Sequence, residues 1–155
     1  MNIERLLGWG VVWVALMSAA PAQTTYTWIS PVTSQFQNAE NWAPSEGAPP
    51  SAEDSISLVS GASAVEIQIT NAAPIQTVHN VFFSGNSSDV TIVGTQDTGP
   101  YRSLTVAGTL FKTGSAIFRL RSNTATQRLV VDINEVEMSQ GTLALGGGGI
   151  LHSRL

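Results

Sequence analysis

The chain is predicted to be an all-β protein, with a right-handed parallel β-helix favoured over a β-sandwich. Short runs that alternate apolar and polar residues recur along it, the pattern of a strand with one face in a core and one in water. No segment after the first residues shows a helical period sustained over three turns. The dipeptides Asn-Gly and Asp-Gly, the strongest signals for tight hairpins, are absent. These three observations favour strands wound into coils.

The first element is a predicted secretory signal peptide, residues 1–22. Its apolar run, residues 6–17, is shorter than the roughly 18 to 20 residues that a membrane-spanning helix needs. The motif Ala20-Pro21-Ala22 then supplies the small-x-small pattern that a signal peptidase recognises. We expect cleavage after Ala22 and export; an uncleaved membrane anchor is the alternative.

The next element, residues 23–54, is predicted to be an N-terminal cap. It contains three large aromatic residues, Trp28, Phe36 and Trp42, together with four prolines. A solenoid exposes the edge of its first coil, and that edge has to be covered. An aromatic, proline-rich segment that precedes the repeats suits this task.

Residues 55–149 are predicted to form four to five solenoid coils, and residues 150–155 a short tail. The centres of the last five apolar runs lie about thirteen residues apart, and loose polar corners separate the runs. Regular short strands also fit a β-sandwich, which stays open as the alternative. The five centres are Ile92, Thr105, Phe118, Val131 and Ala144. The predicted strand runs are Ser55–Val59, Val65–Thr70, Thr77–Phe83, Asp89–Val93, Ser103–Ala107, Ala116–Leu120, Leu129–Ile133 and Thr142–Leu145.

Composition excludes several classes of function. The net charge of −4 disfavours general nucleic-acid binding, which needs clustered Lys and Arg. The absence of cysteine excludes disulfides and thiolate chemistry. The charges are also uneven: residues 23–99 carry seven acids and no Lys or Arg, whereas six bases and three acids follow. Such asymmetry marks either a partner surface or chance in a chain with few charges.

Two pairs of charged residues are the candidates for a polysaccharide site. Glu135 and Glu137 are two apart, so on a strand they share a face at about 6 to 7 Å, within range of glycosidase or cation-binding geometry. Arg119 and Arg121 share the outer face of a strand whose Phe118 points inward. The simpler interpretation, which we favour, is a charged strand face with weak ion pairs between coils.

Catalytic, cofactor and metal motifs are not found in the sequence. There is no nucleophile elbow, phosphate-binding loop, dinucleotide fingerprint or calcium repeat. The glycines at 146–149 are interpreted as a terminal turn. His79 is predicted to lie in a strand as a structural histidine, and His152 lies far along the chain. We therefore expect no catalytic residue, cofactor or metal.

The mature N-terminus resembles the opening of bacterial autotransporter-type β-helix passengers. The same opening occurs in related exported β-helix proteins with autotransporter-associated β-strand repeats, including PEP-CTERM-like ones. In these families an early Trp, an Asn-Trp pair and a Pro-x-x-x-Asp run precede the first strand. The matching segments are Thr25–Trp28, Ala39–Trp42 and Pro49–Ile56, and Ser103–Gly108 and Gly141–Gly147 are similar to the repeat units.

The resemblance implies a non-enzymatic passenger that acts in surface display or adhesion. Its location would be the cell surface, outer membrane or exterior of a Gram-negative bacterium, and its partner a surface polysaccharide or a host or neighbouring cell. Because no barrel or anchor sequence follows residue 149, we interpret the chain as a truncated passenger or a degraded reading frame. The alternatives are a secreted carbohydrate-active β-helix that uses the four charged candidates, or a sugar-binding sandwich with Trp28 and Trp42 as stacking platforms.

Overall fold

The chain winds as a parallel β-solenoid of about four coils, as the strand pattern predicts. The structure, a computed structural model, describes residues 23–45, 47–70, 75–95, 102–123, 129–146 and 150–153. The predicted signal peptide, its cleavage site after Ala22 and the glycines at 147–149 lie outside the described residues. Strand β1 also makes one antiparallel pair, with β3.

Two sheets form the walls of the solenoid. The larger has the order β13-β11-β9-β7-β4-β1-β3, with β6 also paired to β9, and the smaller has the order β12-β10-β8-β5-β2. The strands are β1 (Thr25–Trp28), β2 (Ser34–Gln35), β3 (Trp42–Ala43), β4 (Ser55–Val59), β5 (Val65–Ile69), β6 (Ile75–Val78), β7 (Val81–Ser84), β8 (Val90–Gly94), β9 (Arg102–Lys112), β10 (Ile117–Ser122), β11 (Leu129–Met138), β12 (Thr142–Gly146) and β13 (Ile150–Ser153). A single 3-10 turn spans Ala39–Asn41 among the described residues.

The thirteen-residue step is half of one coil. Successive runs alternate between the sheets: β8, β10 and β12 lie in the smaller sheet, and β9 and β11 lie in the larger one. Val90 pairs with Phe118, and Phe118 pairs with Leu143, so each coil takes two steps. The chain therefore crosses from one wall to the other once per step.

Inward side chains stack in columns that run through the coils. In the larger sheet Ile56, Val81 and Leu110 lie in register, and all three are fully buried. In the smaller sheet Ile67 and Ile92 form the same kind of column. Because each apolar residue packs on the equivalent residue of the next coil, the core is continuous along the solenoid axis.

The wall formed by the larger sheet is interrupted at His79 and Asn80. The run predicted as one strand over Thr77–Phe83 is in fact two strands, β6 and β7, which pair with different halves of the long strand β9. His79 therefore lies at a corner and not in a strand, which corrects its predicted position. The peptide N–H of Gly108 donates to the His79 carbonyl at 2.7 Å, and the Thr109 N–H donates to Asn80 Oδ1 at 2.8 Å.

The N-terminal segment lies at one end of both sheets. The ring of Trp42 is fully buried, with its centroid 4.9 Å from that of Trp28 and 5.0 Å from that of Phe36. Trp42 Nε1 donates to the Phe36 carbonyl at 2.7 Å, which satisfies its only side-chain donor. The predicted cap residues therefore lie at the end of the solenoid that a cap would cover. That they form a separate unit stays a prediction.

The predicted tail contains a further strand. Residues 150–153 form β13, which pairs in parallel with Val130–Ile133 of β11. The solenoid therefore extends past the predicted boundary at residue 149. The run of glycines hid this strand, because glycine is poorly represented in strands and suggests a turn.

Gly108→Ala should lower the free energy of unfolding by about 1 to 3 kcal/mol, since its new methyl group would meet the Asn80 side-chain oxygen and the His79 carbonyl. The matched control is Gly61→Ala, where an added Cβ would meet nothing within 4 Å. That variant should stay within about 0.5 kcal/mol of the parent. Urea unfolding of the three proteins makes the measurement, and equal losses in both variants would contradict the close approach at the corner.

Candidate functional site

The two candidate arginines lie on the outer face of the smaller sheet, on β10. Leu120, which lies between the two arginines, is buried, and so is Phe118, which precedes Arg119, as the alternation predicts. Arg119 Nη2 lies 3.0 Å from Asp89 Oδ2, and Arg121 Nη2 lies 2.8 Å from Glu66 Oε2. Both guanidinium groups are therefore paired with carboxylates of earlier coils.

The Arg121–Glu66 pair crosses an entire strand. Glu66 lies on β5 and Arg121 on β10, with β8 between them. Val93 of β8 is in register with Arg121 on one side and Gln68 on the other, and it is fully buried although it lies outside the core cluster. The long arginine side chain thus reaches across β8 to its partner on β5.

The two candidate glutamates lie on β11, in the larger sheet. Both are exposed and the half-buried Val136 lies between them, so they share the outer face as predicted. Glu135 Oε2 accepts a hydrogen bond from Thr109 Oγ1 at 3.0 Å. The fold therefore does not bring the arginine and glutamate candidates into one site: each pair belongs to a different sheet, and the arginines pair with Asp89 and Glu66 instead.

The uneven charge distribution has a structural explanation within the chain. The acids Glu66 and Asp89 belong to the half that has no Lys or Arg, and their partners Arg119 and Arg121 belong to the basic half. Coils that are distant in sequence are adjacent in space, so opposite charges meet across them. Some of the acids of the first half are thus paired with arginines of the second half across neighbouring coils.

Trp28 and Trp42 do not form the flat sugar platform that the sandwich alternative requires. Trp28 and Trp42 are buried, at 9% and 0% exposed, so they cannot stack on a sugar in the way the sandwich alternative requires. Sequence reasoning missed another pair, Phe82 and Phe111, which stack at 5.0 Å with an angle of 4° between rings. The two residues occupy equivalent positions of β7 and β9, and Phe82 is 36% exposed.

Of the two histidines, the structure describes the side chain of His79 and only the backbone of His152. His79 is exposed at its corner, and its backbone N–H donates to the Asp54 carbonyl at 2.6 Å. The backbone of His152 pairs with that of Asp132. Within the described residues, no three His, Cys, Asp or Glu side chains come together as a metal site would require.

Lys112 is a buried charged residue that the sequence analysis did not identify. Its side chain is fully buried, and Nζ donates to the carbonyls of Thr113, Gly114 and Gln140 at 3.2, 2.6 and 3.2 Å. The ammonium group also lies 4.6 Å from the centroid of the Phe83 ring. It therefore joins the turn after β9 to the turn after β11. Its inward position follows from its register with Phe83, a relation that local alternation cannot show.

Two depressions on the described surface lie near candidate residues or at the cap end. One of about 340 Å³ lies beside Phe111, Lys112, Glu137 and Met138. Another of about 320 Å³ lies at the cap end, with mostly apolar walls. Neither brings an arginine candidate beside a glutamate candidate.

The chain was compared with protein-family models, curated proteins and solved structures. No protein-family model, curated protein or solved structure matches the chain. The resemblance to autotransporter-type passengers therefore stays a prediction. A search for membrane-crossing helices in the described part of the chain finds no helix of sufficient length and hydrophobicity.

The Arg121–Glu66 pair should contribute to stability without being essential. In a double-mutant cycle with Arg121→Met and Glu66→Gln, we expect a coupling free energy of about 0.2 to 1 kcal/mol, because both side chains are partly exposed. The coupling should shrink as salt is added, since ions screen exposed charges. Urea unfolding at low and high salt measures both. A coupling near zero at low salt would contradict the role of this pair as a link between coils.

Lys112 should make stability depend on alkaline pH. Burial lowers the pKa of Lys112 below its ordinary value of 10.5, so the folded protein releases this proton at a pH where the unfolded chain still holds it. The unfolded state then binds more protons, and stability rises with pH across the window that ends near 10.5. Urea unfolding between neutral pH and 10.5 should show this rise in the parent relative to Lys112→Met. A difference that falls with pH would mean that the three carbonyl contacts raise the pKa instead.

Proposed function

We propose that the chain is a non-enzymatic, exported β-solenoid that serves in surface display or adhesion. The observation that carries this proposal is the use of the outward polar side chains. Arg119 and Arg121 bind carboxylates of earlier coils, Asn80 binds the backbone of the next coil, and Glu135 accepts from Thr109. These groups fasten one coil to another, which suits a scaffold.

Export and surface location belong to the same proposal. The signal-peptide pattern that ends at Ala22 supports export, and the sequence resemblance to passengers supports the cell surface or outer membrane of a Gram-negative bacterium. A β-solenoid without cysteine suits an exported bacterial protein, because its stacked core supplies stability without disulfides. The partner would be a surface polysaccharide or the surface of a host or neighbouring cell.

The carbohydrate-active alternative has less support. Its candidates Arg119 and Arg121 are separated from Glu135 and Glu137 by their placement on different sheets. An acid–base pair has to reach one substrate bond from both sides, so residues on different walls are poorly placed for it.

The test is to express the full chain in a Gram-negative host and assay the exported product. We expect an N-terminus at Gln23, no products from a panel of acidic and neutral polysaccharides, and increased attachment of expressing cells to polysaccharide-coated or cell-coated surfaces. Cells that carry the empty vector are the control for attachment. Product release that disappears in Glu135→Gln would overturn the non-enzymatic proposal. Unprocessed chain in the cytoplasm would overturn export.

A further inference from the structure

The exported chain carries primary amines at two places. A primary amine in a protein belongs either to a lysine side chain or to the N-terminus. The whole sequence contains a single lysine, Lys112. After cleavage behind Ala22, the other amine is the α-amine of Gln23. Whether the exported protein has a nucleophilic amine at its surface therefore depends on these two residues.

The fold closes off the amine of Lys112. Lysine has three N–H donors, and Nζ lies within hydrogen-bond distance of three carbonyls in the turns after β9 and β11. The centroid of the Phe83 ring lies 4.6 Å from Nζ, and a Cβ added at Gly141 would lie 2.6 Å from it. Because Lys112 is 0% exposed, a reagent in solution does not reach this nitrogen while the chain is folded.

Gln23 is placed differently. It is exposed and precedes β1. The contacts with the next coil begin one residue later, where the Thr24 carbonyl accepts from the Ser55 N–H at 2.8 Å. Among the described residues, Gln23 itself makes no hydrogen bond. The α-amine of a chain that starts here and the side-chain amide of the same residue are therefore free to react with each other.

An N-terminal glutamine contains its own electrophile. The α-nitrogen attacks the side-chain carbon Cδ, and the new N–Cδ bond closes a five-membered lactam. The Cδ–Nε2 bond breaks, and Nε2 leaves as ammonia with the proton that the α-nitrogen loses. This step needs no oxidant, metal or second reactant. Because α-amino groups titrate near neutral pH, a fraction of them has the free electron pair that the attack requires.

We infer that the mature protein presents no reactive primary amine: Gln23 closes to a pyroglutamyl residue, and Lys112 stays shielded in the folded chain. The closure of Gln23 rests on the proposed function, because export has to expose this residue as the N-terminus. The shielding of Lys112 does not depend on export.

The absence of reactive amines would protect a protein outside the cell. Exposed chain termini are where proteolytic trimming begins, and aminopeptidases act on a free α-amine. Aldehydes and reducing sugars condense with unprotonated primary amines to form Schiff bases. A chain with a closed Gln23 and a buried Lys112 resists both kinds of damage at its surface.

The first test is the intact mass of the exported product of the full chain, followed during incubation at neutral pH. We expect the mass of residues 23–155 less one ammonia. The matched control is Gln23→Asn, whose side chain carries the same amide on one carbon fewer. Its closure would need a strained four-membered ring, so this variant should keep its full mass. A broad-specificity aminopeptidase should then shorten the variant and leave the parent intact.

The second test treats the exported parent with an amine-specific acetylating reagent. Labelling of Lys112 should be at least about a hundredfold slower in the folded protein than in urea, because the reagent has to wait for the coil to open. Glu40→Lys adds an amine at an exposed position and should be labelled rapidly while folded. Lys112→Met should take up no acetyl group even in urea, which assigns the parent's label to this residue.

The outcomes separate the inference from the proposed function. A product that starts at Gln23 and keeps its full mass and its free α-amine would overturn the ring closure and leave export in place. Labelling of Lys112 in the folded parent as fast as in Glu40→Lys would overturn the shielding. A free α-amine at a different processed N-terminus would also overturn the inference alone. An unprocessed chain in the cytoplasm would overturn both the inference and the proposed function.

Discussion

The register between strands of neighbouring coils, along the solenoid axis, is the constraint on which the rest of this structure depends. A single coil has too little interior to bury its own side chains, so Leu110 becomes buried only when Val81 lies beneath it in the same column. Stability is therefore a property of neighbouring coils and not of any one segment. The same register decides which outward residues meet, because inward and outward positions alternate along every strand.

Polar groups are used to hold that register. On the outer faces, Arg121 reaches across a whole strand to Glu66, and Asn80 binds the backbone beside Gly108. In the interior, Lys112 links two turns through three carbonyl contacts. The contacts of Arg121 and Asn80, and that of Lys112 with the Gln140 carbonyl, join parts of the chain that lie in different coils. These polar residues thus help to fix the register between coils, as tight turns fix the register between strands of an antiparallel sheet.

The two ends of the solenoid have different chemistry. At one end Trp28 and Trp42 cover the core, and a short strand before Pro44 limits the edge. At the other end apolar columns reach partly exposed side chains beside two outward glutamates. The described ends of the solenoid therefore differ in how completely the core is covered.

Much of the fold could be predicted from the sequence because alternation is a local property. The period of two identified most of the strands from Ser55 onward, although it joined β6 to β7 and missed β13. The regular spacing together with the absence of Asn-Gly and Asp-Gly favoured a solenoid over a sandwich. Partner choice could not be predicted in this way. Glu135 was considered with Arg121, yet Arg121 pairs with Glu66, which is far away in sequence. The break at His79 and the inward position of Lys112 were likewise decided by the coil above or below. Strand identity follows from neighbours along the chain, whereas pairing, corners and buried charge follow from packing between coils, which only the tertiary structure determines.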